Sequence, residues 1–168
     1  MGTTEFQVNT ATTNYQEQAD IVMQPTGEFI VVWQSINQIS SVSDADIYAQ
    51  RYDASGNIIG TEFHVNTFFT SQGQTNPEVT VDTTGNFLIV WDGSGREGAT
   101  IYTSGIFAKE YDSNGNALDN QFRVNTTFTP TQSNPQAAID ANGDYHITWQ
   151  NTDDIYAQAY FTGTGEAF

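Results

Sequence analysis

Cysteine is absent from the chain of 168 residues, and basic residues are scarce, with 4 lysine and arginine side chains against 20 aspartate and glutamate side chains. The absence of cysteine excludes disulfide bonds and thiolate metal or redox sites, so packing and backbone pairing must hold the fold. The formal net charge of −16 would repel phosphate groups and anionic lipids. We therefore expect neither a nucleic acid nor a membrane surface as a partner.

Long hydrophobic runs are missing as well. The longest uninterrupted one covers residues 29–33, with the sequence Phe-Ile-Val-Val-Trp. That length suits a β-strand, whereas a helix that crosses a bilayer needs about 20 apolar residues. The residues after Met1 also lack the basic start and apolar stretch of a signal peptide, so any export signal would have to lie elsewhere.

What the chain does contain is a threefold internal repeat. One marker, Glu/Gln-Phe-x-Val-Asn-Thr, occurs at residues 5–10, 62–67 and 121–126, at spacings of 57 and 59 positions. A second marker is a tryptophan six positions after a glycine, which recurs every 58 positions at Trp33, Trp91 and Trp149. Such self-similarity is the signature of a repeat architecture. It divides one domain, residues 1–168, into units at approximately 5–61, 62–120 and 121–168.

Within each unit the residues indicate β-strands. In the second unit, runs rich in β-branched and aromatic residues lie at 78–81, 87–91, 106–111 and 121–124, and no helical periodicity is present. Turns with Asp first and Gly fourth separate two pairs of these runs. Asp caps such a type I turn, and glycine readily adopts the left-handed conformation that follows. Each unit is thus predicted to hold four antiparallel strands.

Repeated four-stranded antiparallel units whose second strand is apolar on both faces are typical of a β-propeller. We therefore predict an all-β chain of three propeller blades. Because propellers usually have four to eight blades, we expect a second copy of the chain to complete a six-bladed ring. The N-terminal strand, residues 4–10, would then finish a last blade. The alternative is that the chain is a piece of a longer array and that its partners are neighbouring repeats.

The three markers together, EFxVNT, DxxGNFxVVW and IYAQRYDxxGN, cover the whole chain. This pattern resembles the tandem repeats of large secreted bacterial proteins of the RTX and adhesin type. The resemblance implies propeller arrays, a secreted or cell-surface location and a calcium-rich medium.

The long connections of a propeller gather on one face, where loops on a rigid scaffold commonly bind ligands. Aromatic rings can stack on sugars there, and an arginine among carboxylates can hydrogen-bond sugar hydroxyls. The ligand-binding candidates are Trp33, Trp91, Trp149, Arg96, Glu97, Asp92, Tyr15, Phe69 and Phe128. The alternative is structural: the tryptophans pack between blades, the loop aromatics cover blade ends, and Arg96 forms a surface ion pair.

Calcium is the one cofactor that the sequence suggests, through oxygen-bearing residues in turns and in the first long loop. The candidate ligands are Asp44, Asp46, Asp140, Asn142 and Asp144. A calcium ion takes six to eight oxygen ligands, and the closing glutamate of an EF-hand is missing here. Hairpin turns explain the Asp and Asn residues of the turns without a metal. Apart from calcium, we expect no cofactor.

These observations predict an extracellular binding or adhesion module, with a carbohydrate as the ligand. One alternative is a structural repeat that assembles with copies of itself, and another is a fragment of a glycosidase. No catalytic triad is evident, the arginines Arg51, Arg96 and Arg123 fall at non-equivalent positions of the repeat, and neither histidine is repeated. We therefore expect that the chain is not an enzyme.

Overall fold

The computed structural model describes residues 5–38, 44–67, 73–97, 100–127 and 131–162, and for residues 95–97 and 100–103 it describes the backbone alone. These residues form three antiparallel sheets, each with one of the repeated tryptophans, and the fourth strands of sheets 1 and 2 reach into the sequence unit that follows. Sheet 1 consists of β1 (Gln16–Met23), β2 (Phe29–Ile36), β3 (Ala45–Tyr52) and β4 (Ile58–His64). Sheet 2 consists of β5 (Gln74–Val81), β6 (Phe87–Glu97), β7 (Thr100–Tyr111) and β8 (Phe122–Arg123). Sheet 3 consists of β9 (Gln132–Ile139), β10 (Tyr145–Asn151) and β11 (Asp154–Tyr160).

The prediction of an all-β chain with antiparallel sheets is confirmed. Strands follow one another within each sheet, so neighbours in sequence are neighbours in hydrogen bonding. Within the described ranges, no helix is long and apolar enough to cross a membrane.

The predicted turns have the expected geometry, as the turn between β3 and β4 illustrates. The backbone N–H of Gly56 donates to the carbonyl of Asp53 at 2.9 Å, and Gly56 has a φ of 82°. The Asp53 side chain closes the turn, because its Oδ1 accepts hydrogen bonds from the backbone N–H groups of Ser55 and Asn57, each at 2.8 Å. These bonds keep the pKa of Asp53 below its ordinary value, chiefly through the side chain and backbone of Asn57.

The core lies between the sheets, and β6 shows why the second strand of a unit is apolar on both faces. Phe87, Ile89 and Trp91 point toward sheet 1. Leu88 and Val90 point toward sheet 3. Because successive side chains of a strand alternate between faces, a strand with a neighbouring sheet on each side needs apolar residues throughout.

Three details differ from the sequence-based expectation. The connection after Trp91 is not an irregular loop, because β6 and β7 continue as a paired hairpin to Glu97 and Thr100. The first strand of the second unit begins at Gln74 rather than at residue 78, and the first strands of the other units begin at the equivalent Gln16 and Gln132. Residues 5–10 form no strand in the described part of the chain, although we expected one. They lie over the outer face of sheet 1, where Val8 packs with Trp33 and Tyr48.

Candidate functional site

The first strand of every sheet contains a β-bulge, and the three bulges are equivalent. Two residues oppose one tryptophan at each bulge: residues 18–19 oppose Trp33, residues 76–77 oppose Trp91, and residues 134–135 oppose Trp149. The first bulged residue has a positive φ in each case, 54° at Gln18, 51° at Asn76 and 52° at Asn134. Asparagine tolerates this conformation better than most residues. A bulge redirects neighbouring side chains and is common beside active sites.

The three bulges meet, because β1 packs beside β5 and β5 packs beside β9. They surround one cavity of about 310 Å³, which we name the axial cavity. Its described lining residues are Gln18, Ala19, Asp20, Asn76, Pro77, Glu78, Asn134, Pro135 and Gln136. Every one of them belongs to a bulge or directly follows one, so the repeat itself builds the cavity.

Two carboxyl groups occupy equivalent positions in the lining. Asp20 Oδ2 accepts a hydrogen bond from the backbone N–H of Val79 at 2.9 Å. One sheet further, Glu78 Oε2 accepts a hydrogen bond from the backbone N–H of Ala137 at 3.2 Å. Each carboxyl group therefore links its own strand to the first strand of the next sheet. Gln136 takes the same place in the third unit.

The environment of Glu78 favours its protonated form. The side chain is half-buried, and loss of hydration raises its pKa from 4.5 to about 7. The hydrogen bond from Ala137 opposes this shift, while the negative charge of Asp20 adds to it. A carboxyl group with a pKa near neutrality can hold a proton and release it in the working range of most enzymes.

Asp92 lies behind the lining and ties two bulges together. It is buried, and its carboxylate accepts hydrogen bonds from the Oγ1 of Thr75, from Nδ2 of Asn76 at 2.7 Å and from the backbone N–H of Asn134 at 2.8 Å. Burial raises the pKa of Asp92 in spite of these bonds. Asp92, a predicted ligand residue, therefore holds Asn76 and Asn134 of the cavity wall in place.

The three predicted tryptophans are buried, and Trp33 also lines a cavity of about 150 Å³ between residues 8–9 and the start of β1. Trp33, Trp91 and Trp149 are at most 5% exposed. The indole Nε1 of each donates to a glutamine side chain at the start of the first strand of its own sheet, at 2.9, 2.9 and 2.6 Å. Each indole also stacks on an aromatic ring of the third strand. Their burial is what a packing role requires, and ligand binding by these tryptophans stays a prediction from the sequence.

The remaining ligand candidates are more scattered. Tyr15 directly precedes β1 and is 74% exposed, so its ring is open to a ligand at the end of the strand that carries the first bulge. The backbone of Arg96 and Glu97 belongs to the β6–β7 hairpin, but their side chains lie outside the described part of the chain. Phe69 and Phe128 also lie outside the described residues.

The candidate calcium ligands form two groups, at residues 44–46 and 140–144, and they are engaged in other contacts. Asp46 is buried and accepts a hydrogen bond from Nδ2 of Asn66 at 2.7 Å. Asp140 Oδ1 accepts from the backbone N–H groups of Asn142 and Asp144 at 2.7 and 3.0 Å, which closes the turn. Asp44 uses its backbone carbonyl to accept from Asn37. In the part of the chain that the structure describes, no group of three His, Asp or Glu side chains could hold a metal ion. Calcium binding stays a prediction from the sequence.

The sequence reasoning overlooked Asp20 and Glu78, although a signal was present. Each lies 13 positions before the tryptophan of its unit, and Gln136 occupies that position in the third unit. A repeated carboxyl position aligned on the tryptophan marker would have identified the pair. The bulge that directs both side chains into one cavity could not be inferred without the register of the strands.

Comparison with known proteins gives the fold. The chain matches no protein-family model and no curated protein. Among solved structures it is similar to an endo-arabinase from Bacteroides thetaiotaomicron VPI-5482, with a TM-score of 0.58, 12% identity and coverage of 94% of this chain and 60% of the arabinase. It is similar to the Hadza microbial sialidase Hz136, with a TM-score of 0.59, 14% identity and coverage of 90% and 36%. It is also similar to a thermostable family-43 glycoside hydrolase, with a TM-score of 0.51, 11% identity and coverage of 90% and 56%.

These neighbours are β-propeller glycoside hydrolases, and the chain spans about one third to three fifths of their length. They contradict our expectation that the chain is not an enzyme, because the three solved structures named above are all carbohydrate-active enzymes. That expectation rested on the absent triad and on the scattered arginines and histidines, and it did not consider the carboxyl groups of Asp20 and Glu78, which both line the axial cavity.

Proposed function

We propose that this chain is a carbohydrate-active protein of the glycoside hydrolase type and that its substrate binds in the axial cavity. The observation that carries the proposal is the pairing of Glu78 with Asp20 across adjacent bulges, with the pKa of Glu78 raised to about 7 by burial. The fold shared with an arabinase, a sialidase and a family-43 glycoside hydrolase supports the same class of reaction.

Hydrolysis of a glycosidic bond requires two carboxyl groups in different protonation states. Glu78, held protonated by its half-buried position, would donate its proton to the glycosidic oxygen as the bond to the anomeric carbon breaks. The negative charge of Asp20 would stabilise the positive charge that develops on that carbon, and Asp20 would accept the proton of the attacking water molecule. At the end of the cycle Asp20 releases this proton to solvent and a proton returns to Glu78.

The composition of the cavity indicates the class of sugar. Amide side chains contribute both donors and acceptors, which suit the hydroxyl groups of a sugar. None of the nine described lining residues is basic, and two are acidic. Because a negative cavity repels anions, we expect a neutral sugar rather than a sialic or uronic acid, even though one structural neighbour is a sialidase.

A second candidate is a carbohydrate-binding module, the function that the sequence favoured. The hydrogen bonds that Asp20 and Glu78 accept from Val79 and Ala137 give both carboxyl groups a structural use. The exposed ring of Tyr15 could stack on a sugar at the end of β1. Binding at this site would require no proton transfer.

Turnover of reporter glycosides distinguishes the two candidates. The full chain is incubated with a panel of neutral and anionic aryl glycosides, and glycan binding is measured in parallel. The catalytic proposal predicts release of the aryl group from neutral glycosides and a loss of about 10²- to 10⁴-fold in Glu78→Gln, because a general acid contributes that much. Glutamine is tolerated at this position of the repeat, as Gln136 demonstrates, so the variant should fold.

The matched control is Glu17→Gln, which removes one negative charge from the same strand as Asp20 at an exposed position outside the cavity. It should leave turnover unchanged, whereas Asp20→Asn should lower it. Saturable binding without turnover would favour the second candidate. Neither turnover nor binding would contradict both.

A further inference from the structure

The last strand of the structure has one uncovered edge. In sheet 3 the strand order is β11-β10-β9, and no described strand lies beyond β11. Ile155 of β11 is 76% exposed and Tyr156 is 45% exposed. Their equivalents in the first two units, Ile47 with Tyr48 and Ile106 with Phe107, are at most 5% exposed.

The first two sheets show what covers this edge elsewhere in the repeat. In sheet 1, Ala49 pairs with Phe63 and Tyr48 with His64. The backbone N–H of Val65 donates to the carbonyl of Ile47 at 2.8 Å, and Asn66 Oδ1 accepts from the N–H of Ile47 at 2.6 Å. The covering residues belong to the segment Glu-Phe-x-Val-Asn-Thr.

Sheet 2 repeats these contacts. Ala108 pairs with Phe122, and Val124 N–H donates to the carbonyl of Ile106 at 2.8 Å. Asn125 Oδ1 accepts from the N–H of Ile106 at 2.8 Å. Two sheets with different neighbours thus use the same segment in the same register.

The third copy of this segment, residues 5–10, pairs with no strand in the described part of the chain. It lies on sheet 1 as β4 lies on sheet 2: the rings of Phe6 and Tyr52 are 5.5 Å apart at 55°, and those of Phe63 and Tyr111 are 5.5 Å apart at 55°. Phe6 is 56% exposed. The segment therefore lies on sheet 1 in the position that β4, the fourth strand of sheet 1, takes on sheet 2.

Asn9 already makes the side-chain contact that Asn125 makes in sheet 2. Its Nδ2 donates to the carbonyl of Ala11 at 2.6 Å. Asn125, which covers Ile106, makes the equivalent bond to the carbonyl of Thr127 at 2.6 Å. This contact fixes the amide and leaves the orientation of Oδ1 suited to a neighbouring backbone N–H.

We propose that residues 5–10 of one chain pair with β11 of a second copy of the same chain and become the fourth strand of its sheet 3. In this register Phe6 opposes Ala157 and Gln7 opposes Tyr156. The N–H of Val8 donates to the carbonyl of Ile155, and Asn9 Oδ1 accepts from the N–H of Ile155. Two chains exchange this segment reciprocally, which closes a ring of six sheets and covers both open edges.

The chemistry and the size of the chain favour this occupant. A strand edge is a template for another strand, and proteins cover it; here the covering sequence is present in the chain itself. A head-to-tail contact that closes after two copies gives a finite dimer rather than a filament. The chain spans between 36% and 60% of the three enzymes described above, so a complete fold of that kind contains more residues than one copy supplies.

The outer face of sheet 3, which would meet the second copy, is less apolar than the corresponding face of sheet 2. On the face of sheet 3 away from sheet 2, His146 and Thr148 replace Leu88 and Val90, their counterparts in sheet 2. The second copy therefore meets a less apolar face than the one that joins sheets 2 and 3. Strand pairing by residues 5–10 must then contribute much of the affinity.

The first test is the mass of the chain in solution by light scattering. We expect about 37 kDa, twice the 18.5 kDa of one chain. Ile155→Asp should shift the mass to that of one chain, because the exchanged strand would bury the charged aspartate side chain without a partner. Ile58→Asp is the matched control, since Ile58 is a 53% exposed isoleucine on a strand away from this edge, and it should leave the dimer intact. A wild-type mass of one chain would overturn the proposal, and so would an Ile155→Asp dimer.

The second test fixes the register by a disulfide bond, which is unambiguous in a chain without cysteine. The variant Gln7→Cys/Tyr156→Cys should oxidise to a covalent dimer. The control Phe6→Cys/Tyr156→Cys should not, because a shift of one residue turns the side chain to the other face of the sheet. A covalent bond within one chain, a ladder of larger oligomers, or equal crosslinking of both variants would contradict the exchange. These measurements involve no sugar, so they are independent of the proposed catalytic function.

Discussion

Glu78 on β5 accepts a hydrogen bond from the backbone N–H of Ala137 on β9, with 3.2 Å between the two atoms. The bond joins two sheets and holds the carboxyl group at the wall of the axial cavity. The equivalent residue of sheet 1, Asp20, binds Val79 in the same way. Positions that serve the packing of the sheets thus also bring two carboxyl groups to one cavity, and the position of Glu78 is the one with the strongly raised pKa.

The raised pKa of Glu78 predicts a pH-dependent cost to folding. Its pKa of about 7 lies above the ordinary 4.5, so the stability that its protonated form contributes is complete below about pH 4.5 and is lost as the pH rises through 7. Glu78→Gln does not titrate. Relative to wild type, its free energy of unfolding should therefore rise by about 1–2 kcal/mol between acidic and mildly basic pH, after allowance for the half-exposed position.

Urea unfolding at a series of pH values measures this difference. Glu17→Gln serves as the control for the loss of one negative charge, since Glu17 is exposed on β1. The same trend in both variants would mean that the effect comes from net charge and not from the environment of Glu78.

The hydrogen bonds of the tryptophan side chains predict that equivalent glutamine substitutions lower the free energy of unfolding by different amounts. Gln74 accepts from the Nε1 of Trp91 at 2.9 Å, and both residues are fully buried. Gln16 accepts from Trp33 at the same distance but is only partly buried. Gln74→Ala should lower the free energy of unfolding by about 1–3 kcal/mol, because it leaves a buried N–H without a partner. Gln16→Ala should cost less, since water can replace the lost acceptor. Equal costs in denaturant titrations would contradict a buried packing role for Trp91.

The turn glycines allow a similar comparison. Gly56 and Gly85 have φ values of 82° and 91°. A Cβ at Gly56 would meet nothing within 4 Å, whereas one at Gly85 would lie 3.1 Å from both Oε1 of Gln24 and Cβ of Ser113. Gly56→Ala should cost about 1–2 kcal/mol for the left-handed conformation alone. Gly85→Ala should cost more, because neighbouring side chains must also move. Thermal unfolding of the two variants measures which substitution destabilises the chain more. A larger loss of stability in Gly56→Ala would contradict the close packing of the Gly85 turn against Gln24 and Ser113.

The turn aspartates predict a loss of stability in acid. Hydrogen bonds from Asn57, Asn116 and Asn142 are the largest causes that hold the pKa values of Asp53, Asp112 and Asp140 below the ordinary 3.8. A depressed pKa gives stability above pH 3.8 that is lost as the pH falls through the lower folded value. Asp53→Ala should therefore lower the melting temperature at neutral pH and have a smaller effect at about pH 2. An effect of equal size at both pH values would contradict the ionic nature of the turn contact.

The sequence predicted the parts of the fold that local chemistry determines. The tryptophan spacing and the Asp-x-x-Gly turns located the sheets, because each reflects a contact within one unit. The β6–β7 hairpin was missed, since the glycines between Asp92 and Gly98 resemble a loop although the backbone stays paired to Glu97.

The candidate site was harder to predict, because it depends on register. The sequence pattern starts the first strand of the second unit only at residue 78, so it leaves out the bulge residue Asn76. Only the bulges opposite the tryptophans direct Asp20 and Glu78 into one cavity. The burial of the predicted tryptophans also depends on neighbouring sheets. β6 is buried on both faces, so the ring of Trp91 has no open side, whereas Trp33 lines a cavity beside residues 8–9.

The titration of the Glu78 carboxyl group, followed by carbon NMR in the full chain, tests the central claim most directly. The account predicts a midpoint of about 7, and a lower midpoint in Asp20→Asn, because removal of the neighbouring negative charge makes ionisation easier. A midpoint near 4.5, the ordinary value for glutamate, would contradict the assignment of Glu78 as the proton donor of the axial cavity.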